Sequence, residues 1–195
     1  MMELHGGFQE NLSEHIEVFS SLVDIEPQVA AVGKTLSTCL RSGRKILIAG
    51  NGGSAADCQH FAAELTGRFV NDRRPLNAIS LTTDTSAITA IANDYGYEHI
   101  FSRQIKGLAK KGDCFIGIST SGNSSNIIRA VDVAKLIGVK TIALCGSRGQ
   151  LKSISDFTIS VPHTKTMRIQ EAHIFILHIL CAIIETELAR EPLTS

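Results

Sequence analysis

The stretch Asp113-Cys114-Phe115-Ile116-Gly117-Ile118-Ser119-Thr120-Ser121-Gly122-Asn123-Ser124 decides how this chain folds. Residues 113–118 are a short apolar run after one Asp, as expected of a strand buried on both faces. Four hydroxyl side chains then fall within six residues, at Ser119, Thr120, Ser121 and Ser124, around Gly122 and Asn123. An amphipathic segment from Ser124 to Ile137 follows and predicts a helix. The free N–H groups of a helix start and a ring of hydroxyls together make a phosphate cradle. A plain helix-capping turn explains one or two of those hydroxyls; four favour an anion site.

Working outward, Gly50-Asn51-Gly52-Gly53-Ser54 sits in the same context, after the apolar run Lys45–Ala49 and before a helical pattern over Ser54–Arg68. It lacks the Gly-Lys-Ser/Thr of a P-loop and the third glycine of a dinucleotide fingerprint. Strand patterns recur at Leu76–Leu81, Lys140–Cys145 and Phe157–Val161. Helical patterns recur at Ser86–Ala92, His99–Lys110, Leu151–Ser155 and Met167–Leu188. This alternation predicts an α/β fold with a mostly parallel, doubly wound sheet covered on both faces. In such folds ligands bind at the carboxyl ends of the strands, so the two glycine- and serine-bearing turns belong on one edge. Before the first strand, Phe8, Leu12, Ile16, Phe19 and Leu22, then Val29, Val32, Leu36 and Leu40, recur at helical spacing. They predict a pair of helices over residues 8 to about 42 that breaks near Asp24–Pro27. The chain divides into this N-terminal helical segment, residues 1–43, which docks on the sheet or on another subunit, and a sheet domain, residues 44–195.

Composition narrows the function classes. With 195 residues, 44% apolar and 19% charged, the chain has the balance of an ordinary globular protein with a real core. Lys plus Arg is 19 and Asp plus Glu is 19, so no nucleic-acid footprint is expected. No basic segment followed by an apolar run opens the chain, so no signal peptide is expected. The longest apolar stretch, Ala172–Ile184, reads as too short to span a bilayer. Five cysteines, an odd number without paired spacing, read as reduced thiols of a cytoplasmic protein.

Metal chemistry has one candidate set. His60 and Glu64 are four apart and share a helix face. Gln170 and His178 are eight apart, which places them within about 80° of each other two turns along a helix. Two imidazoles and a carboxylate suit zinc, whereas Gln is an unusual ligand. Spacing alone equally suits a core histidine and a chance pair. Glu171 and His173 would face away from this set. Asn93-Asp94-Tyr95-Gly96 is a turn signal that could also present an amide and a carboxylate to sugar hydroxyls.

Taken together, these blocks resemble the sugar isomerase (SIS) domain family, and within it the isomerases of heptose phosphates. The resemblance runs from about Lys45 to Leu180. It rests on Gly50–Asp57, Gln59–Leu65, Asn93–Gly96, Ser119–Ser124, and Arg168-Ile169-Gln170-Glu171-Ala172-His173 followed by His178, in that order. It implies a flavodoxin-like five-stranded sheet and a homotetramer with active sites at subunit contacts. It implies that sedoheptulose 7-phosphate is converted to D-glycero-D-manno-heptose 7-phosphate, a precursor of lipopolysaccharide core or a surface glycan. It also implies one zinc per subunit on His60, Glu64, Gln170 and His178, with Glu64 and His178 catalytic. The phosphate falls on Ser119, Thr120, Ser121 and Ser124, and sugar contacts on Asn51, Gly52, Gly53, Ser54, Glu64, Asn93, Asp94 and Gln170. No nucleic acid or membrane partner is implied. Two rival readings remain: a non-catalytic regulator of the same fold that binds the replication initiator protein, and an isomerase of another sugar phosphate.

Overall fold

The structure, a computed structural model, describes residues 7–190; the outer ends of the two expected segments, residues 1–6 and 191–195, lie outside the described residues. The chain opens with α1 (Phe8–Ser21), a 3-10 turn (Leu22–Ile25) and α2 (Glu26–Arg41). Pro27 lies in the first turn of α2, where its missing N–H costs nothing. Then follow β1 (Ile46–Ala49), α3 (Gly53–Thr66), β2 (Ala78–Ser80), α4 (Thr85–Tyr95), a 3-10 turn (Tyr97–His99) and α5 (Ile100–Leu108). The chain continues through β3 (Cys114–Ser119), α6 (Ser125–Ile137), β4 (Lys140–Cys145), α7 (Leu151–Ile154), β5 (Phe157–Ser160) and α8 (Thr166–Arg190).

The five strands are all parallel, in the order β2-β1-β3-β4-β5. This is the flavodoxin-like doubly wound order, and its direction reverses between β1 and β3. Those strands pair in register, Ile46 opposite Cys114 and Ala49 opposite Gly117. The turns after them are therefore neighbours at the switch point. The expected strand Leu76–Leu81 is ordered as β only over Ala78–Ser80, because β2 lies at the sheet edge and pairs with β1 alone.

Successive strand residues enter different cores, as the two-residue period of a strand requires. Ile46, Ile48, Cys114, Ile116, Ile118, Ile142 and Leu144 pack in the core that also takes α2, α3 and α8. Leu47, Ala49, Phe115 and Ala143 pack on the other face with α5, α6 and α7. Burial of about 25 cal/mol per Å² of apolar surface on both faces is what holds such a sheet together.

The stretch Ala172–Ile184 belongs to a longer helix than its apolar run suggests. Residues Thr166–Ala189 of α8 are long and apolar enough to cross a membrane by length and composition, and half of that stretch is buried inside the fold. Ile169, Ala172, Ile176, Leu177, Leu180, Cys181 and Ile184 pack in the first core, so its apolarity is that of a core helix. All five cysteines are free and buried.

Candidate active site

The turn from β1 into α3 and the turn from β3 into α6 face each other across a cleft of about 240 Å³. Gly52, Gly53 and Ser54 line one side, Ser119, Thr120 and Ser124 the other, with Asn51, Thr166 and Gln170 between them. Gly52 caps α3 with φ +54°, a conformation that favours glycine. Neither Gly52 nor Ser124, the cap of α6, gives its helix a side-chain cap bond. By contrast, Asp84 caps α4 by accepting from Ala87 N at 2.9 Å. Two uncapped helix starts at one cleft leave N–H groups and dipole ends for an anion. Ser124 turns its hydroxyl to Ser119 instead, Oγ to Oγ 2.8 Å, and Ser121 Oγ stands 3.3 Å from Ser119 Oγ. Ser121 is not itself on the cleft wall; it also accepts from Asn123 N at 3.2 Å and so shapes the turn.

The Asn51 side chain is held in place by two residues that the sequence did not single out. Asn51 and Asn126 exchange amide hydrogen bonds at 3.0 and 2.8 Å, and Tyr97 donates its hydroxyl to Asn51 Oδ1 at 2.9 Å. Asn126 is buried in the first turn of α6. A polar residue at an apolar helical position was the available signal. Thr166, at the start of α8, is a third addition, with no signal beyond its place before Gln170.

Helices α3 and α8 lie side by side and run in the same direction, which sets the remaining placements. At the cleft end, a Cβ on Gly53 would stand 2.7 Å from Gln170 Nε2, so Gly53 leaves room for that amide. Two turns on, His60 Nε2 meets His178 Nε2 at 2.9 Å and Glu64 Oε1 at 3.3 Å. Further on, Glu185 of α8 holds the segment that leaves α3. It accepts from the backbone N–H groups of Phe69, Val70 and Asn71 and from Arg73 Nε at 3.0 Å. Burial pushes the Glu185 carboxyl up, but these donors outweigh it and leave the group below the usual carboxylate range. Arg73 in turn donates to the backbone carbonyl of Glu64 at 2.7 Å.

Thus His60, Glu64 and His178 converge on one atom, His60 Nε2, whereas Gln170, eight residues before His178 on α8, lines the cleft. As the side chains stand, no three His, Cys, Asp or Glu among the described residues form a cation cage. The donor chemistry nevertheless fits zinc, since two imidazoles and a carboxylate are the set of many catalytic zinc sites. The spacing is a few tenths of an ångström tight: zinc–nitrogen bonds near 2.0–2.1 Å set tetrahedral ligands roughly 3.4 Å apart.

Other polar side chains of these segments lie off the cleft wall. Asp57, a turn before His60, has a buried Oδ2 with no hydrogen-bond partner; burial pushes its carboxyl up and His60 pulls it partly back. Arg68 is exposed. Asn93 and Asp94 are exposed and bond to each other at 2.8 Å, off the cleft wall of this chain. As expected, Glu171 and His173 face away: Glu171 pairs with His15 and Arg168, each at 2.8 Å, and His173 is wholly buried.

The sequence profile of the SIS domain matches residues 8–146. The chain is 50% identical over 182 residues to phosphoheptose isomerase of Aliarcobacter butzleri, covering 93% of both. It is 50% identical to phosphoheptose isomerase of Geotalea daltonii, covering 94% of this chain and 96% of that one. Among solved structures, phosphoheptose isomerase GmhA from Neisseria gonorrhoeae superposes with a TM-score of 0.84 at 43% identity, covering 90% of this chain and 95% of that chain. A phosphoheptose isomerase from Francisella tularensis superposes with a TM-score of 0.89 at 37% identity, covering 91% and 96%.

Proposed function

The chain belongs to the SIS domain family, and on that premise we propose that it is a phosphoheptose isomerase. It converts sedoheptulose 7-phosphate to D-glycero-D-manno-heptose 7-phosphate through an enediol. The observation that carries this reading is the meeting of His60, Glu64 and His178 beside a hydroxyl-lined cleft fed by two helix starts. A phosphate at Ser119, Thr120, Ser121 and Ser124 anchors one end of the sugar. Asn51, Gly52, Gly53, Ser54 and Gln170 then meet its hydroxyls, with Asn93 and Asp94 as further contacts.

Ketose–aldose isomerisation moves a proton between adjacent carbons and a second one between their oxygens. Glu64 removes the carbon proton and returns it to the neighbouring carbon. His178 moves the proton on oxygen through Nδ1, the nitrogen that does not face His60. Zinc would be held by His60, Glu64 and His178, with Gln170 as the expected fourth donor. When bound there, zinc polarises the substrate carbonyl. The second carboxylate oxygen of Glu64 remains a base, and Arg73 steadies the backbone that carries it.

Further parts of the reading concern the setting. The substrate's product feeds heptose of a lipopolysaccharide core or surface glycan, and the enzyme works in the cytoplasm. It assembles as a tetramer. In support, α1 leaves Phe8, Leu12 and Ile16 exposed, and Phe19, Val23, Phe175 and Ile179 border an apolar groove of about 520 Å³. A regulator of the same fold would need the sheet but neither Glu64 nor His178, and both are present. Five-, six- and seven-carbon ketose phosphates offered side by side read out the sugar length.

The test is turnover of sedoheptulose 7-phosphate in deuterated water. The chain is expected to incorporate deuterium at the reacting carbon and Glu64→Gln to lose it. Full incorporation by Glu64→Gln would remove Glu64 as base, and no turnover of any heptulose phosphate by the unaltered chain would overturn the activity.

A further inference from the structure

On the sheet face opposite α3 and α8, a second concavity of about 330 Å³ lies between α4, α5 and α6. Its lining is Tyr95, His99, Ser102, Arg103, Lys106 and Val133. His99, at the end of the 3-10 turn, and Arg103 and Lys106 of α5 are spaced at i, i+4 and i+7, which brings them to one side. No carboxylate lines the concavity, and neither Arg103 nor Lys106 makes an ion pair with the described residues.

Like charges on one helix face repel, and a surface shaped for solubility alone intersperses the signs. Here no carboxylate among the described residues pairs with Arg103 or Lys106, while the geometry is prepared. The Arg103 guanidinium carbon sits 3.6 Å from the centroid of the Tyr95 ring. Stacking uses the face of the guanidinium and leaves its planar edge for hydrogen bonding, the edge that binds phosphate oxygens in pairs. Lys106 adds a mobile point charge.

We propose that this concavity is a second anion site, separate from the isomerase cleft, that takes a phosphate-bearing small molecule. A phosphate monoester or a diphosphate matches the two fixed cations. The concavity exceeds the cleft that holds the sugar phosphate, about 330 against 240 Å³, so it has room for an organic portion beyond the phosphate.

The test uses inorganic phosphate as probe, with the full chain in equilibrium dialysis at low ionic strength. The unaltered chain is expected to bind two equivalents per chain. Arg103→Gln/Lys106→Gln, an exposed pair whose folding is checked by its melting temperature, is expected to lose one. Its remaining equivalent should weaken only when Ser121→Ala is added. Loss of the charged contacts should weaken the second site about tenfold or more. Two equivalents still bound by the double variant would overturn the proposal. So would a single equivalent on the unaltered chain that Ser121→Ala weakens and Arg103→Gln/Lys106→Gln leaves unchanged. Absence of isomerase turnover would leave the two-equivalent result intact, so failure of the activity and failure of this site are read separately.

Discussion

The Nε2 atoms of His60 and His178 stand 2.9 Å apart although 118 residues separate them in the chain. At that distance one ring must donate a proton to the other, since two bare lone pairs would repel. The register of α3 against α8 thus brings the two ring nitrogens to one point.

Zinc binding needs a bare lone pair on the ligating nitrogen of each ring, which neutral imidazole presents when its proton sits on the other nitrogen. Titration of the metal-free chain should show one equivalent of zinc bound. His60→Ala and His178→Ala should each weaken zinc binding by at least about tenfold. Unchanged zinc affinity in both variants would remove this pair from the metal site.

Ser121→Ala tests the hydroxyl turn. Its hydroxyl contacts Ser119 Oγ and shapes the turn through Asn123 N. Weaker phosphate anchoring should raise KM by about tenfold, the worth of roughly 1.4 kcal/mol, with kcat little changed. A large fall in kcat at constant KM would show the turn acting in the chemical step.

Gly53→Ala separates stability from function. The new Cβ would meet the Gln170 amide at 2.7 Å, the movable end of a side chain, so the protein should keep its melting temperature within a few degrees. The displaced amide should lower kcat/KM by about tenfold. Full activity would show that Gln170 does not act from the cleft wall.

His173 sets an acid limit. It is wholly buried, neither ring nitrogen makes a well-formed hydrogen bond, and burial pushes its pKa down to about 4, with only a partial offset from the Cys145 backbone. The unfolded chain takes up a proton near pH 6.5 while the folded chain does not, so stability falls as pH drops from 6.5 to 4. The loss amounts to roughly 3 kcal/mol. Urea unfolding of His173→Leu should lack this part of the pH dependence; an unchanged slope between pH 6.5 and 4 would assign it to other groups.

Most of the architecture was readable in advance, because hydrophobic period is a local property. The run Cys114–Ile118 and the helical repeat after Ser124 were visible as β3 and α6 within a residue, and the break at Asp24–Pro27 is a 3-10 turn. Less readable were properties that depend on a neighbour. Strand β2 is trimmed to Ala78–Ser80 by its edge position, and Asn126 matters only because Asn51 lies opposite it.

What the sequence determined by itself, then, was an α/β chain with two strand-to-helix turns able to hold a phosphate, and the side chains a zinc site would need. Tertiary structure decided which of those side chains meet. Helix spacing puts Gln170 and His178 on one face of α8, but the packing of α8 alongside α3 matches Gln170 with Gly53 and His178 with His60. The physical reason is that a helix rises about 1.5 Å per residue. Sharing a face therefore leaves the Cα atoms of residues eight apart about 12 Å apart along the axis, and the register between two packed helices sets which partner each side chain meets.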